Sequence, residues 1–285
     1  KFRDEERVLN GLFRAKEFKM KDAYSFHRSY VDLNNFFPRV FKAYKKVFDR
    51  CCIDTITAES AIGSLGGDRA YEFLMPCSWG DVSVIKCPSC GYKANIDIAL
   101  GIKTKLTEVP LPAEEISTPG CQTIEQLSEF LGVKPERIAM TTLYKTLKGW
   151  ALVTYRGDYE VSIEKLSRLL EEPVIGPASS SEVALLGLKP GFLFPSNEIT
   201  GFRHVVDDTA AESNNLVVGA DKPETHIKNA NFGIDYESSL VGDVTMIHAD
   251  NRCQQCEAKL DKIPAVEVGN IFKLGDFYSR AIGLS

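Results

Sequence analysis

The chain has 285 residues, a formal net charge of −5, and is 44% hydrophobic and 26% charged. That is length for about two domains with a globular composition, which excludes a disordered chain and leaves no overall basic footprint for nucleic acid. No apolar run approaches the roughly 20 residues that cross a bilayer and the charged start is no signal peptide, so a cytoplasmic protein with no membrane partner is expected.

The first predicted element is a hairpin. Phe2 and Arg3 lie in a run that reads as a strand, Gly11 marks a turn, and residues 13–24 alternate as a returning strand. Side chains two apart on a strand share a face, so Arg3, Glu5, Arg14 and Phe18 gather on the inner one. Guanidinium groups neutralise phosphate and a ring gives a purine a stacking surface, which makes this a candidate nucleotide site. The plainer alternative is a charged, solvated edge.

Phe36, Phe37, Val40, Phe41, Tyr44, Val47 and Phe48 repeat at helical spacing. They predict a helix from about Tyr30 to Arg50, packed on the back of a sheet, with Pro38 near a first turn or kink. A strand over 53–58 follows, then a Gly-rich loop over 59–67, which either approaches a ligand or simply connects. A strand over 82–86 runs into the knuckle Cys87-Pro88-Ser89-Cys90, whose distant partner is Cys253-Gln254-Gln255-Cys256. Eight cysteines could suggest disulfides, but two such pairs in a reducing compartment read as four thiolates for a structural Zn2+. The alternative is four free thiols packed as small hydrophobes. If the knuckles meet, the chain between them leaves and returns at one place, which makes about 105–247 an inserted domain with zinc clasping its neck.

Within that interval, residues 104–119 carry Pro110, Pro112 and Pro119 and read as a linker. Thr123 and Gln126 have the form of a capping box ahead of a helix with Ile124, Leu127, Phe130 and Leu131 on its apolar face. Residues 150–155 and 159–161 read as a hairpin around Arg156-Gly157-Asp158, 162–170 as a short amphipathic helix, and 202–206 and 216–218 as strands. Short helices and strands mixed in this order predict an α+β domain.

The set Phe2, Arg3, Glu5, Arg14, Phe18 and Asp22 resembles motif 2 of class II aminoacyl-tRNA synthetases, and residues 17–27 resemble the bacterial-type prolyl-tRNA synthetases in particular. Ala70-Tyr71-Glu72-Phe73 stands where that family has a Ser-His-Glu-Phe-like tetrapeptide. Residues 117–120, 123–125, 155–158, 191–195, 219–220 and 226–233 resemble the family's editing insertion, and residues 267–279 its return strand, with Asn270 where histidine is usual. The resemblance implies an α+β protein with part of the class II antiparallel sheet core and an inserted editing-like, deacylase-like domain. Residues 1–104 would be the first part of the core, 105–247 the insertion, and 248–285 the return to the core.

The function so implied is that of a proline–tRNA ligase, activating proline with ATP and Mg2+ to prolyl-adenylate and passing it to tRNA(Pro). Arg3 would hold the α-phosphate, Glu5 the nucleotide and Arg14 the γ-phosphate, while Phe18 stacks on adenine. Glu72, Glu267 and Asn270 would border the proline pocket. The intact parent is expected to be a homodimer, and this chain alone, lacking the third motif, to be inactive. In the insertion, Gly191, Pro195 and His226 would line a pocket for alanine, the second sieve needed because one methylene separates substrates by only about 1–3 kcal/mol. Met140 stands where the family's editing lysine lies, Phe194 would narrow the pocket, and impaired hydrolysis is expected, with Lys145 as a substitute only if a local helix shifts. The alternatives are a non-catalytic zinc-clasped binding module and a trans-editing aminoacyl-tRNA deacylase.

Overall fold

The computed structural model describes residues 1–5, 11, 15–62, 67–195 and 201–284. They fall into two compact units, Lys1–Tyr44 and Lys45–Ser285.

In the first unit Phe2 bridges Glu17 in antiparallel sense, with the Arg3 amide donating to the Lys16 carbonyl at 2.9 Å and the Phe18 amide to that of Lys1 at 3.1 Å. The pairing stops there. Residues 18–28 form no strand, which corrects the returning strand expected over 13–24: between Phe18 and Ala23 the one apolar side chain, Met20, stays exposed, so a strand there would bury little. Helix α1 (Tyr30–Arg50) starts where the Ser29 hydroxyl accepts the Asp32 amide at 3.2 Å. Pro38 lies inside it, well past the first turn, where its missing N–H deletes one backbone hydrogen bond. In the second unit the end of α1 buries Phe48 against Phe73, ring centroids 5.4 Å apart. Cys52, at φ 56°, then ends the helix in the left-handed region.

The second unit continues with β1 (Ile56–Ser60), β2 (Arg69–Pro76), β3 (Val82–Lys86) and β4 (Lys93–Asn95). Next come β5 (Glu114–Ser117), α2 (Ile124–Leu131), β6 (Ala139–Thr146), β7 (Gly149–Arg156), α3 (Ile163–Leu170), β8 (Val174–Pro177) and α4 (Ser180–Leu185). They are followed by β9 (Arg203–Asp207), α5 (Asp208–Ala211), β10 (Leu216–Gly219), β11 (Thr225–Ala230), β12 (Leu240–Gly242), β13 (Asp261–Lys273) and α6 (Phe277–Ala281). The first four strands and β13 close into a barrel in the order β1-β2-β13-β3-β4, sealed by the parallel pair Glu59 and Ala94. β13 is long enough to pair with β3 through its first half and β2 through its second. Gly80 lets the strand pass, since a Cβ there would lie 2.1 Å from the Ala265 carbonyl oxygen.

Between β4 and β13 the chain builds two further sheets, one ordered β10-β11-β5 and one β12-β9-β7-β6-β8. α3 covers one face of the larger sheet, Leu166 and Leu170 packing with Tyr144, Val153 and Val205. Burying each leucine contributes about 1.5–3 kcal/mol. The capping box at Thr123 and Gln126 forms as predicted.

Three expectations for this region are corrected. The hairpin is β6–β7, and residues 157–161 do not return along β7, because the buried Arg156 guanidinium is pinned by Asp158 and the Thr104 carbonyl. The linker contains strand β5, which pairs with β11. Met140 and Lys145 both lie on β6 (Ala139–Thr146) rather than on a helix, so Lys145, five residues beyond Met140, points to the opposite face, beside Trp150 and Glu182.

Candidate functional sites

In the first unit, because Phe2 faces Glu17, Arg3 and Phe18 are diagonal neighbours on the other face, and the guanidinium carbon lies 5.2 Å from the centre of the Phe18 ring. Arg3 is exposed and Glu5 half-buried two residues on. Arg14 lies outside the described residues.

In the barrel, Glu72 on β2 stands directly opposite Asn270 on β13 and Ala58 on β1. The Asn95 amide nitrogen donates to a Glu72 carboxylate oxygen at 2.8 Å. Burial pushes the Glu72 carboxyl up to about 7, against the Asn95 hydrogen bond and with the negative charges of Glu267 and Asp97 adding to the rise. Glu267 sits just before a register shift on β13, between Glu267 and Gly269. The three residues read from sequence as a proline-binding set thus lie on two adjacent strands, and Asn95, missed in the sequence, ties them to β4.

The two cysteine knuckles meet. The Cys87 and Cys256 sulfurs are 3.4 Å apart, those of Cys90 and Cys253 are 3.6 Å apart, and all four lie within 4.8 Å of one another. A tetrahedron with metal–sulfur bonds of about 2.3 Å has edges of about 3.8 Å, so the donor set fits a tetrahedral thiophilic ion. Each knuckle ends in a left-handed residue, Gly91 at φ 79° and Glu257 at φ 59°. The Cys90 and Ser89 amides draw the Cys87 thiol down to about 6 against its burial, as suits a thiolate ligand.

A fourth site lies between α2, the start of β6, the 191–193 segment, β10 and β11. It is a narrow cleft, partly open to solvent, lined by Leu127, Ile138, Ala139, Met140, Thr141, Gly191, Leu193, Gly219 and His226. Gly219 is required there, since a Cβ would lie 2.4 Å from the Phe192 carbonyl carbon. His226 pairs with Gly219 on one side and Ile116 on the other. One ring nitrogen, Nδ1, is 2.6 Å from the Thr118 hydroxyl, and the Phe192 ring tilts over the imidazole at 5.4 Å. Of the residues read as the editing pocket, Gly191 and His226 line the cleft. Pro195 is buried beside it and is not among the lining residues. Phe194 packs towards Tyr236 in the core, ring centroids 6.4 Å apart, so it does not narrow the cleft as expected. Met140 lines the cleft, and its thioether offers no charge.

No local pattern marks Thr118 as a partner of His226, or the buried ion cluster around Lys103. Lys103 Nζ donates to Asp243 at 2.5 Å, to the Thr245 hydroxyl at 2.6 Å, and to Asp207 and Asp208 at 3.3 Å. Lys165 reaches Asp243 at 2.8 Å and the Thr245 carbonyl at 2.7 Å. Burial opposes the charge on Lys103, but Asp207, Asp243 and Asp208 outweigh it and hold its pKa above the usual value. The adjacent Asp207-Asp208 pair was the one available signal.

Residues 118–235, which carry this cleft, match the family model for the aminoacyl-tRNA editing domain. The chain is 36% identical to the proline–tRNA ligase of Thermoanaerobacter sp. (strain X514) over 99% of its own length and 50% of that protein. It is 37% identical to that of Pelotomaculum thermopropionicum, over 100% and 51%, and 36% identical to that of Thermotoga maritima, over 99% and 49%. The chain therefore spans about half the length of the curated relatives it matches. The segment that matches the editing-domain model is set between the barrel strands β4 and β13. Along nearly its whole length the chain is similar to these proline–tRNA ligases.

Proposed function

We propose that this chain is part of a proline–tRNA ligase that activates proline with ATP and transfers it to tRNA(Pro) in the cytoplasm, as a homodimer. The observation that carries the reading is the match to curated ligases through both the barrel and the editing domain. In it, residues 1–104 and 248–285 belong to the class II catalytic core and 105–247 to the insertion. Arg3 holds the α-phosphate while the proline carboxylate attacks, Glu5 and Arg14 hold the rest of the nucleotide, and Phe18 stacks on adenine; charge neutralisation and positioning are then sufficient. Mg2+, brought with ATP, would add its positive charge to that of Arg3 and Arg14 in neutralising the phosphates. Glu72 and Glu267 supply negative charge for the imino group of proline, and Asn270 a neutral hydrogen-bonding group beside them. A proline ammonium would favour ionised Glu72 and so offset its burial. Cys87, Cys90, Cys253 and Cys256 hold Zn2+ as a structural clasp.

The insertion binds the alanyl end of mischarged tRNA(Pro) but hydrolyses it slowly, a reading favoured by the uncharged Met140 in the cleft wall. In the full-length protein carrying this chain, Arg3→Ala should abolish proline-dependent ATP–pyrophosphate exchange. Exchange retained at the parent rate removes Arg3 from the reaction.

A further inference from the structure

His226 brings two ring nitrogens to a site where only one can face the cleft. Nδ1 is spent on Thr118, at 2.6 Å. Thr118 is fully buried, and among the described residues its hydroxyl has no other hydrogen-bond partner. That asymmetry decides which group donates. A neutral imidazole carries one N–H and one lone pair, and a threonine hydroxyl carries one proton and two lone pairs. Were Nδ1 the donor, the hydroxyl would accept and its own proton would be buried without a partner, at the full desolvation cost of that group. With the hydroxyl donating to Nδ1, the buried proton is satisfied and the imidazole proton moves to Nε2.

We infer that Thr118 locks His226 as the Nε2–H tautomer, so that the cleft presents a hydrogen-bond donor matched to the acyl carbonyl oxygen of an aminoacyl ester. The inference rests on the reading of this cleft as an acyl site. Burial holds His226 below its ordinary pKa and so in the neutral form, and Phe192 restricts the ring's rotation. A lone Nε2–H orients or polarises a carbonyl and cannot take a proton from water, which makes His226 a carbonyl-binding group rather than a general base. Thr118 is the positioning residue behind it.

The 285-residue chain has four histidines, so ¹⁵N-histidine labelling of that chain gives four imidazoles, and the set lost in His226→Gln is that of His226. The wild type and Thr118→Ser should show an unprotonated Nδ1 and a protonated Nε2 at His226; the nearly isosteric Thr118→Val should show a tautomer mixture or Nδ1–H. An Nδ1–H tautomer in the wild type overturns the inference, as does an unchanged Nε2–H tautomer in Thr118→Val. Binding of 3′-alanylamino-3′-deoxyadenosine, an uncleavable stand-in for the charged tRNA end, should weaken about tenfold in Thr118→Val, the worth of one hydrogen bond, and hold in Thr118→Ser. If the probe binds no variant while the Nε2–H signature is present, the carbonyl assignment and the acyl reading of the cleft fall, and the tautomer lock alone is upheld.

Discussion

Glu72 and Asn270 face one another across β2 and β13, two strands separated in the chain by the whole segment that matches the editing-domain model. Their register puts a half-buried carboxyl beside a neutral amide, with Asn95 donating to it from the neighbouring β4. A carboxyl placed so is costly to ionise, and that cost appears as a dependence of stability on pH.

Glu72 rises from an ordinary 4.5 to about 7 in the folded chain. The folded state therefore binds more protons than the unfolded state between those values, and stability contributed by protonated Glu72 is lost as pH rises through this window. At about 1.4 kcal/mol per pKa unit the loss is about 3.5 kcal/mol at most, less the part that solvent screens. Glu72→Gln, which keeps the shape and removes the charge, should flatten the decline in urea-unfolding free energy from pH 4.5 to 7. Parallel pH profiles for the two proteins would show that Glu72 titrates as an exposed carboxylate.

The meeting of the cysteine knuckles leads to a second expectation. Zinc held by Cys87, Cys90, Cys253 and Cys256 would join the chain where it leaves β3 to where it approaches β13. The purified protein should contain one zinc per chain, and Cys256→Ser should lose it and lower the thermal midpoint by several degrees, consistent with the folding free energy that structural zinc supplies. Prolonged chelation of the wild type should reproduce the mutant's midpoint. A metal-free preparation with an unaltered midpoint would leave the cluster as four packed thiols.

How much of this was legible in the sequence depends on the range of the interactions involved. α1, the Thr123 cap and α3 were readable because their signals are local: apolar spacing and a capping residue act within one or two turns. The zinc knuckles were readable because each carries its own spacing, and only their meeting had to be inferred. β5 was hidden by Pro110 and Pro112, since a strand of four residues with mostly exposed side chains has too little alternation to outweigh its surroundings. The hairpin around Arg156-Gly157-Asp158 was misread because a turn-like triplet was in fact an ion-paired corner, and no local pattern tells that a guanidinium will be buried. Thr118 and His226 are more than a hundred residues apart. Their contact comes from the pairing of β5 with β11, which sequence periodicity cannot supply.

Lys103 shows the same limit most fully, because the residues that neutralise it come from the far end of the insertion. Its side chain is 3% exposed and meets the carboxylates of Asp207, Asp208 and Asp243. These three acids form a group able to hold a cation, and the lysine ammonium fills that role, joining the segment before β5 to the segment after β12. Replacing Lys103 by Met would keep the stem packed while leaving three crowded carboxylates with only Lys165 nearby. Removing one partner of a buried pair costs about 3–5 kcal/mol, so Lys103→Met should lower the urea-unfolding free energy by that order. Lys103→Arg should lose part of it, since a planar guanidinium cannot reproduce four contacts to one point charge. A Lys103→Met variant that also replaces Asp208 by Asn, and so removes one of the unpaired charges, should recover part of the loss. If Lys103→Met unfolds at the same urea concentration as the wild type, the buried cation is not what joins the two segments.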